Sequence, residues 1–202
     1  MFITLEGGEC AGKSTQARLL AARLRAAGRD PLLTREPGGA PGAERLRDLL
    51  LSGDIAWSLP AETLLHFAAR AEHVARTIGP ALAAGRAVIC DRFADSTMAY
   101  QGYAQGGDRN AIATLTALLG LRPDLTLVLD LDVPASLARL TARGTAADRY
   151  ERLGEAFFAR VRDGFRAIAA AEPARCVLIA ADAAPDAVAA RIWAVVSERL
   201  AP

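Results

Sequence analysis

The sequence predicts an α/β fold: a five-stranded parallel sheet with helices on both faces. Three observations carry this. Short apolar runs alternate with longer amphipathic segments along the whole chain, as repeated βα units require. The short runs are rich in Val, Ile and Leu, as strands buried on both faces are. A glycine-rich loop joins the first run to the first helical segment.

The elements follow in order. Residues 2–6 read as a strand and 13–27 as a helix, with Gly28 a natural stop. Residues 31–34 form a second strand, 35–39 (Arg-Glu-Pro-Gly-Gly) a loop, and 42–51 a helix. Residues 62–78 form a longer helix and 87–90 a third strand that runs into Asp91 and Arg92. A polar, glycine-bearing stretch has no assigned element, and 110–119 is helical. Residues 125–131 are the fourth strand, 135–142 and 155–171 helices, 176–180 the fifth strand and 185–200 the last helix. The charged segment 143–152 (RGTAADRYER) is either a surface loop or a mobile lid over a phosphate site.

Composition narrows the function. The 202 residues fit one domain over 1–202 with a lid at 143–152. Hydrophobic residues at 52% and charged residues at 23% exclude a disordered chain. A net charge of +1 argues against a duplex-DNA binder, so no nucleic-acid partner is expected. No apolar stretch approaches the ~20 residues of a membrane span, and no membrane partner is expected. The start MFITLEGG has no basic segment or cleavage site, so a cytoplasmic location is expected. Cys10, Cys90 and Cys176 lie far apart without a C-x-x-C pair, which predicts reduced thiols and no zinc site.

Residues 7–14 (GGECAGKS) fit G-x-x-x-x-G-K-[ST] between a strand and a helix, the context this phosphate loop needs and the mark of a P-loop NTPase fold. Backbone amides of Gly7, Gly8, Glu9, Cys10, Ala11, Gly12, Lys13, Ser14 and Thr15 would cradle phosphate at a helix N-terminus. Lys13 would reach the β/γ-phosphates, and the Ser14 hydroxyl would ligate Mg²⁺. Lys13 is the only lysine among 24 basic residues, so the compact cation stands where a phosphate demands it. Asp91, at the end of a strand, is a second candidate for the metal. A GTPase is excluded, since no Asn-Lys-x-Asp is present, and the length suits a small phosphotransferase better than a motor.

A phosphotransferase needs an acceptor pocket. Arg35, with Glu36 and Pro37, and Arg92 stand at strand ends beside the phosphate loop, where ligands of open α/β sheets bind. Glu62, His66, Arg70, His73 and Thr77 recur at helical spacing, as either a solvated face or a cleft wall. Leu64, Leu65, Ala68 and Ala71 are expected to face a core, and Phe67 reads first as packing. Glu9 is a carboxylate among phosphate-binding amides. It needs a compensating cation or hydroxyl there, unless it acts only as a helix N-terminal charge.

Several segments together resemble the bacterial thymidylate kinases: residues 5–16, Thr34 to Gly39, Asp91-Arg92-Phe93 with Ser96, Tyr100, Gln101 and Gly102, residues 122–126, and Arg143-Gly144 with Asp148-Arg149. The resemblance spans nearly the whole chain. It implies transfer of the γ-phosphate of ATP, with Mg²⁺, to dTMP by a homodimer. The open alternatives are a kinase of another pyrimidine monophosphate and a nucleotide-binding protein without turnover. In the resemblance Arg92, with Arg35 nearby, holds the dTMP phosphate, and Arg70 hydrogen-bonds thymine. Tyr100 crowds the sugar 2′ position, Thr97 and Gln101 flank the base, and Glu9 contacts the sugar or the metal's water shell. Arg143 and Arg149 close over the transferring group, and the turn at 182–185 borders adenine.

Three positions depart from the family pattern. His66 stands where phenylalanine usually stacks on thymine, and an imidazole can protonate near neutral pH; Phe67 is the nearest substitute ring. Cys10 replaces glycine, so a left-handed backbone would be strained and the thiol is a candidate for reactivity. Phe93 replaces a polar aromatic.

Overall fold

The structure, a computed structural model, describes residues 1–53, 55–144 and 149–200. All five predicted strands are present: β1 (Phe2–Gly7), β2 (Pro31–Arg35), β3 (Ala87–Asp91), β4 (Leu125–Asp130) and β5 (Cys176–Ala180). They pair in parallel in the order β2-β3-β1-β4-β5. Alternate residues of each strand serve opposite faces. Ile3, Leu5, Ile89, Leu125, Leu127 and Leu129 pack beneath α1 (Lys13–Ala26) and α9 (Pro185–Leu200). Phe2, Val88 and Cys90 face the other way, onto Ile78, Ala81 and Phe93, while Val128 meets α8 (Glu155–Ala171). No helix among the described residues is long and apolar enough to cross a membrane.

The remaining helices are α2 (Pro41–Leu51), α3 (Leu59–His73), α4 (Gly79–Ala83), α5 (Ala94–Thr97), α6 (Arg109–Leu118) and α7 (Val133–Arg143). Two differ from expectation. The helix expected at 62–78 begins at Leu59, because Pro60 suits a first helical turn, and it continues through a π-helical turn (Val74–Ile78) into α4. The unassigned stretch after β3 is helical: α5 leads into a π-helical segment (Met98–Ala104) whose Ala99, Tyr100 and Ala104 pack against α8. Tertiary burial overrides the weak helical pattern there. At α6 and α7, Asp108 and Asp132 accept backbone N–H groups as N-caps.

On α3 the polar stripe takes the cleft-wall reading of the two expected, whereas Leu64, Ala68 and Ala71, expected to face a core, do not. Glu62, His66, Arg70 and His73 are buried, whereas Leu64 is 56% exposed and Ala68 and Ala71 lie outside. The polar stripe turns inward because α3 walls a polar cleft at the carboxyl ends of β1, β2 and β3.

Candidate active site

The loop after β1 is shaped by its backbone. Gly7, at φ 133°, passes β4 so closely that a Cβ would stand 2.5 Å from the Leu129 carbonyl oxygen. Gly12 and Cys10 both take left-handed conformations, Cys10 at φ 53°. The strain expected at Cys10 is therefore present. The expected thiol reactivity is not supported, because burial pushes this thiol above its usual value. All three cysteines are free thiols.

Lys13 Nζ donates to the carbonyls of Gly7 (3.1 Å) and Gly8 (2.6 Å), folded back over the loop. Burial, with the charge of Arg92, pulls its pKa down. Ser14 Oγ donates to Asp91 Oδ2 at 2.5 Å, which brings the two candidate metal ligands together. The described residues contain no cluster of three His, Cys, Asp or Glu side chains fit to hold a metal.

Glu9 has the compensation its position requires. Its Oε1 accepts from Arg92 Nη2 (2.7 Å) and Tyr100 Oη (2.5 Å). Burial opposes its ionisation, but the charges of Arg92 and Lys13 outweigh it and hold the carboxyl at about 2. Arg92 itself has φ 71°, an uncommon conformation for a residue other than glycine. Glu6 beneath it stabilises that turn: its carboxyl accepts Phe93 N–H (2.7 Å) and Ser96 Oγ (2.6 Å), and Ser96 Oγ accepts from Arg92 Nη1 (3.3 Å). Burial and the charge of Asp95 push Glu6 well above the carboxylate range.

These groups open into a cleft of about 460 Å³. Its walls include Glu9, Cys10, Gly12, Lys13, Ser14, Thr15, Arg35, Glu36, Pro37, His66, Arg70, Asp91, Arg92, Ser96, Thr97, Tyr100, Gln101 and Arg143, all expected from the sequence. Gly7, Gly8 and Ala11 belong to the loop but not to the cleft wall. Phe67 does not line the cleft either. It is buried with the Arg70 guanidinium 4.9 Å from its ring centre, so it supports Arg70 and does not replace the His66 ring.

Glu36 is a buried anchor for α3, bonded to Arg70 Nε (2.6 Å) and His73 Nδ1 (3.0 Å). Arg70 Nη2 donates to Phe93 O and Thr97 Oγ1, while its Nη1 is buried without a partner among the described residues. Arg35 is half exposed and paired with Glu44. His66 is not the near-neutral titrating group expected: burial, with the charge of Arg70, holds it to about 3.

The lid divides its two arginines. Arg143 lines the cleft and is bonded to both oxygens of Glu151 at 2.7 Å. Arg149 is turned away from the cleft wall onto Glu62. Asp148, also expected in the lid, lies outside the described residues. Four wall residues were not expected: Arg47, Leu51, Tyr150 and Glu151. Tyr150 had a signal, an aromatic inside a charged segment; Arg47 and Leu51 sit in an ordinary amphipathic helix and had none. Arg139, also unforeseen, donates to Cys10 O and Ala181 O and so ties the phosphate loop to the turn after β5.

A protein-family model described as thymidylate kinase matches residues 5–192. The thymidylate kinase of Gluconobacter oxydans is 55% identical over 99% of this chain and 95% of its own length. That of Caulobacter vibrioides is 54% identical over 98% and 97%. The crystal structure of thymidylate kinase from Ehrlichia chaffeensis superposes with a TM-score of 0.80 at 37% identity, covering 98% of both chains. With the family model spanning most of its length and relatives this similar from end to end, the chain belongs to the thymidylate kinase family.

Proposed function

We propose that the cleft performs in-line phosphoryl transfer between its two ends, with the phosphate loop holding the donor and Arg92 and Arg35 the acceptor phosphate. The reaction is phosphorylation of dTMP with ATP. The observation that carries this assignment of roles is the convergence of the loop, both arginines and the unpartnered Arg70 Nη1 on one cleft.

Loop amides and the N-terminus of α1 favour the triphosphate. Lys13 exchanges its two carbonyl partners for phosphate oxygens, adding charge where the transferring group develops it. Arg92 is oriented by Glu9 and its turn is held by Glu6, so it meets the acceptor phosphate already in place. That phosphate is anionic, and no general base is needed. Arg143 faces the cleft and supplies the lid cation; Arg149 braces Glu62. Tyr100, fixed by its bond to Glu9, crowds the sugar. Arg70 Nη1 donates to the thymine O4, with His66 and Thr97 beside the ring.

Ser14 and Asp91 would hold Mg²⁺: a hydroxyl and a carboxylate are hard oxygen donors, and phosphate oxygens with water suit the rest of its shell. The ion, when bound, neutralises charge on the triphosphate.

We propose further that 1–202 is one domain, that it acts in the cytoplasm, and that it is a homodimer. The resemblance supports the dimer, as do Leu64 of α3 and Leu118 of α6, 56% and 81% exposed. Sedimentation equilibrium should give twice 21.2 kDa; a monomer at micromolar concentration would refute it. The acceptor assignment is tested by Arg92→Ala, which should raise the KM for dTMP far more than that for ATP. An effect on ATP alone would put Arg92 at the wrong end.

A further inference from the structure

We infer that Glu62 is a positioning residue that sets which edge of a pyrimidine the cleft reads. The inference rests on dTMP being the acceptor. Glu62 is fully buried, and an ionised carboxylate only accepts hydrogen bonds. Burial works against its charge, but bonds from Gln101, Gln105 and Tyr150, with the charge of Arg149, hold it below the usual carboxylate range.

A proton count then follows. Gln101 Nε2 donates to Glu62 Oε1 (2.7 Å), with Tyr150 Oη on the same side of that nitrogen (3.2 Å), so the carboxylate fixes the amide orientation. Gln101 Oε1 is left as an acceptor. Tyr150 spends its single hydrogen on Glu62 Oε1 (2.9 Å). Its oxygen must therefore accept from His66 Nε2 at 2.8 Å. Because His66 is neutral, its one ring proton is on Nε2, and Nδ1 is left as an acceptor. Arg70 Nη1 is left as a donor. All three residues line the same cleft, and none of the three atoms has a hydrogen-bond partner among the described residues.

Acceptors beside one donor match a 2,4-dioxopyrimidine, which offers N3–H and O4. A 4-aminopyrimidine offers an acceptor at N3 and a donor at N4, so like would meet like. Burying unpaired groups is what makes such discrimination steep.

The test compares kcat/KM for dTMP and for 5-methyl-dCMP, which share shape and methyl group and differ only at this edge. Wild type should prefer dTMP by roughly 10³-fold or more. In Glu62→Gln the side chain can also donate, which frees Gln101 to turn over, and the preference should fall about tenfold or more, through the KM for dTMP. Should that variant fail to fold, Tyr150→Phe releases the His66 proton and should weaken the preference in the same direction. Equal use of both nucleotides by wild type, or full preference in a folded Glu62→Gln, would overturn the inference. Failure of wild type to use dTMP at all would instead overturn the acceptor assignment beneath it.

Discussion

Single residues in this site combine two requirements that usually conflict. Cys10 lies in the left-handed region at φ 53°, where a Cβ costs about 1–2 kcal/mol and glycine almost nothing. Cys10→Gly should stabilise the fold by about 1 kcal/mol, raising Tm by roughly 2–4 °C; an unchanged or lower Tm in a thermal melt would show the strain is absent. Lys13→Ala should cut kcat on the order of 10²-fold or more. His66 gives a pH signature. Its folded value of about 3 lies below its unfolded 6.5, so the unfolded chain binds the extra proton between them. The stability it contributes is complete above about 6.5 and is lost as pH falls below that. Glu6, raised to about 8 in the fold, binds its extra proton when folded and works in the opposite direction over the same window, so the readout is the difference between proteins: from pH 7 to pH 5 denaturant midpoints should fall further, or rise less, in wild type than in His66→Phe. Glu9, held at about 2, adds its own loss only below its ordinary 4.5. An equal change in both proteins would mean His66 is not held neutral.

At the scale of elements, the site depends on α3 gripping the loop after β2. Glu36 bonds to Arg70 and His73, His73 Nε2 meets Thr34 Oγ1 at 2.7 Å, and Thr77 Oγ1 donates to Gly39 O. Gly39, at φ 81°, has no space for a side chain: a Cβ would stand 2.3 Å from His73 Nε2. Gly39→Ala should cost about 2 kcal/mol or more and raise the KM for dTMP, measured by denaturation and steady-state kinetics. A KM unchanged from wild type would show that the loop is not an acceptor element. The strands and the phosphate loop were legible in sequence, since apolar runs and G-x-x-x-x-G-K-S are local signals. The face of α3 was not. Apolar periodicity identifies which residues share a face but cannot say that the polar face is inside, when the partners of Arg70 and Glu62, namely Glu36, Gln101 and Tyr150, lie 34 to 88 positions away. The partners of Arg149 were illegible for the same reason. The helix after β3 was hidden because its burial against α8 supplies what its sequence pattern lacks.

Across the whole molecule, the order β2-β3-β1-β4-β5 gathers the ends of β1, β2 and β3 on one edge. Arg35 stands in register with Asp91, and Asp91 with Leu5, two residues before the loop. Donor and acceptor groups thus meet across neighbouring strands without any long connection, and the lid from α7 completes the wall with Arg143 and Tyr150. The central claim is that this cleft couples ATP to dTMP through Lys13. The most direct measurement is ADP release from MgATP with dTMP, dUMP, dCMP, dGMP, UMP or AMP offered separately, for wild type and Lys13→Ala. The account predicts fast, dTMP-dependent release that collapses in the variant. Release indifferent to the acceptor, or a Lys13→Ala variant that turns over normally, would contradict it.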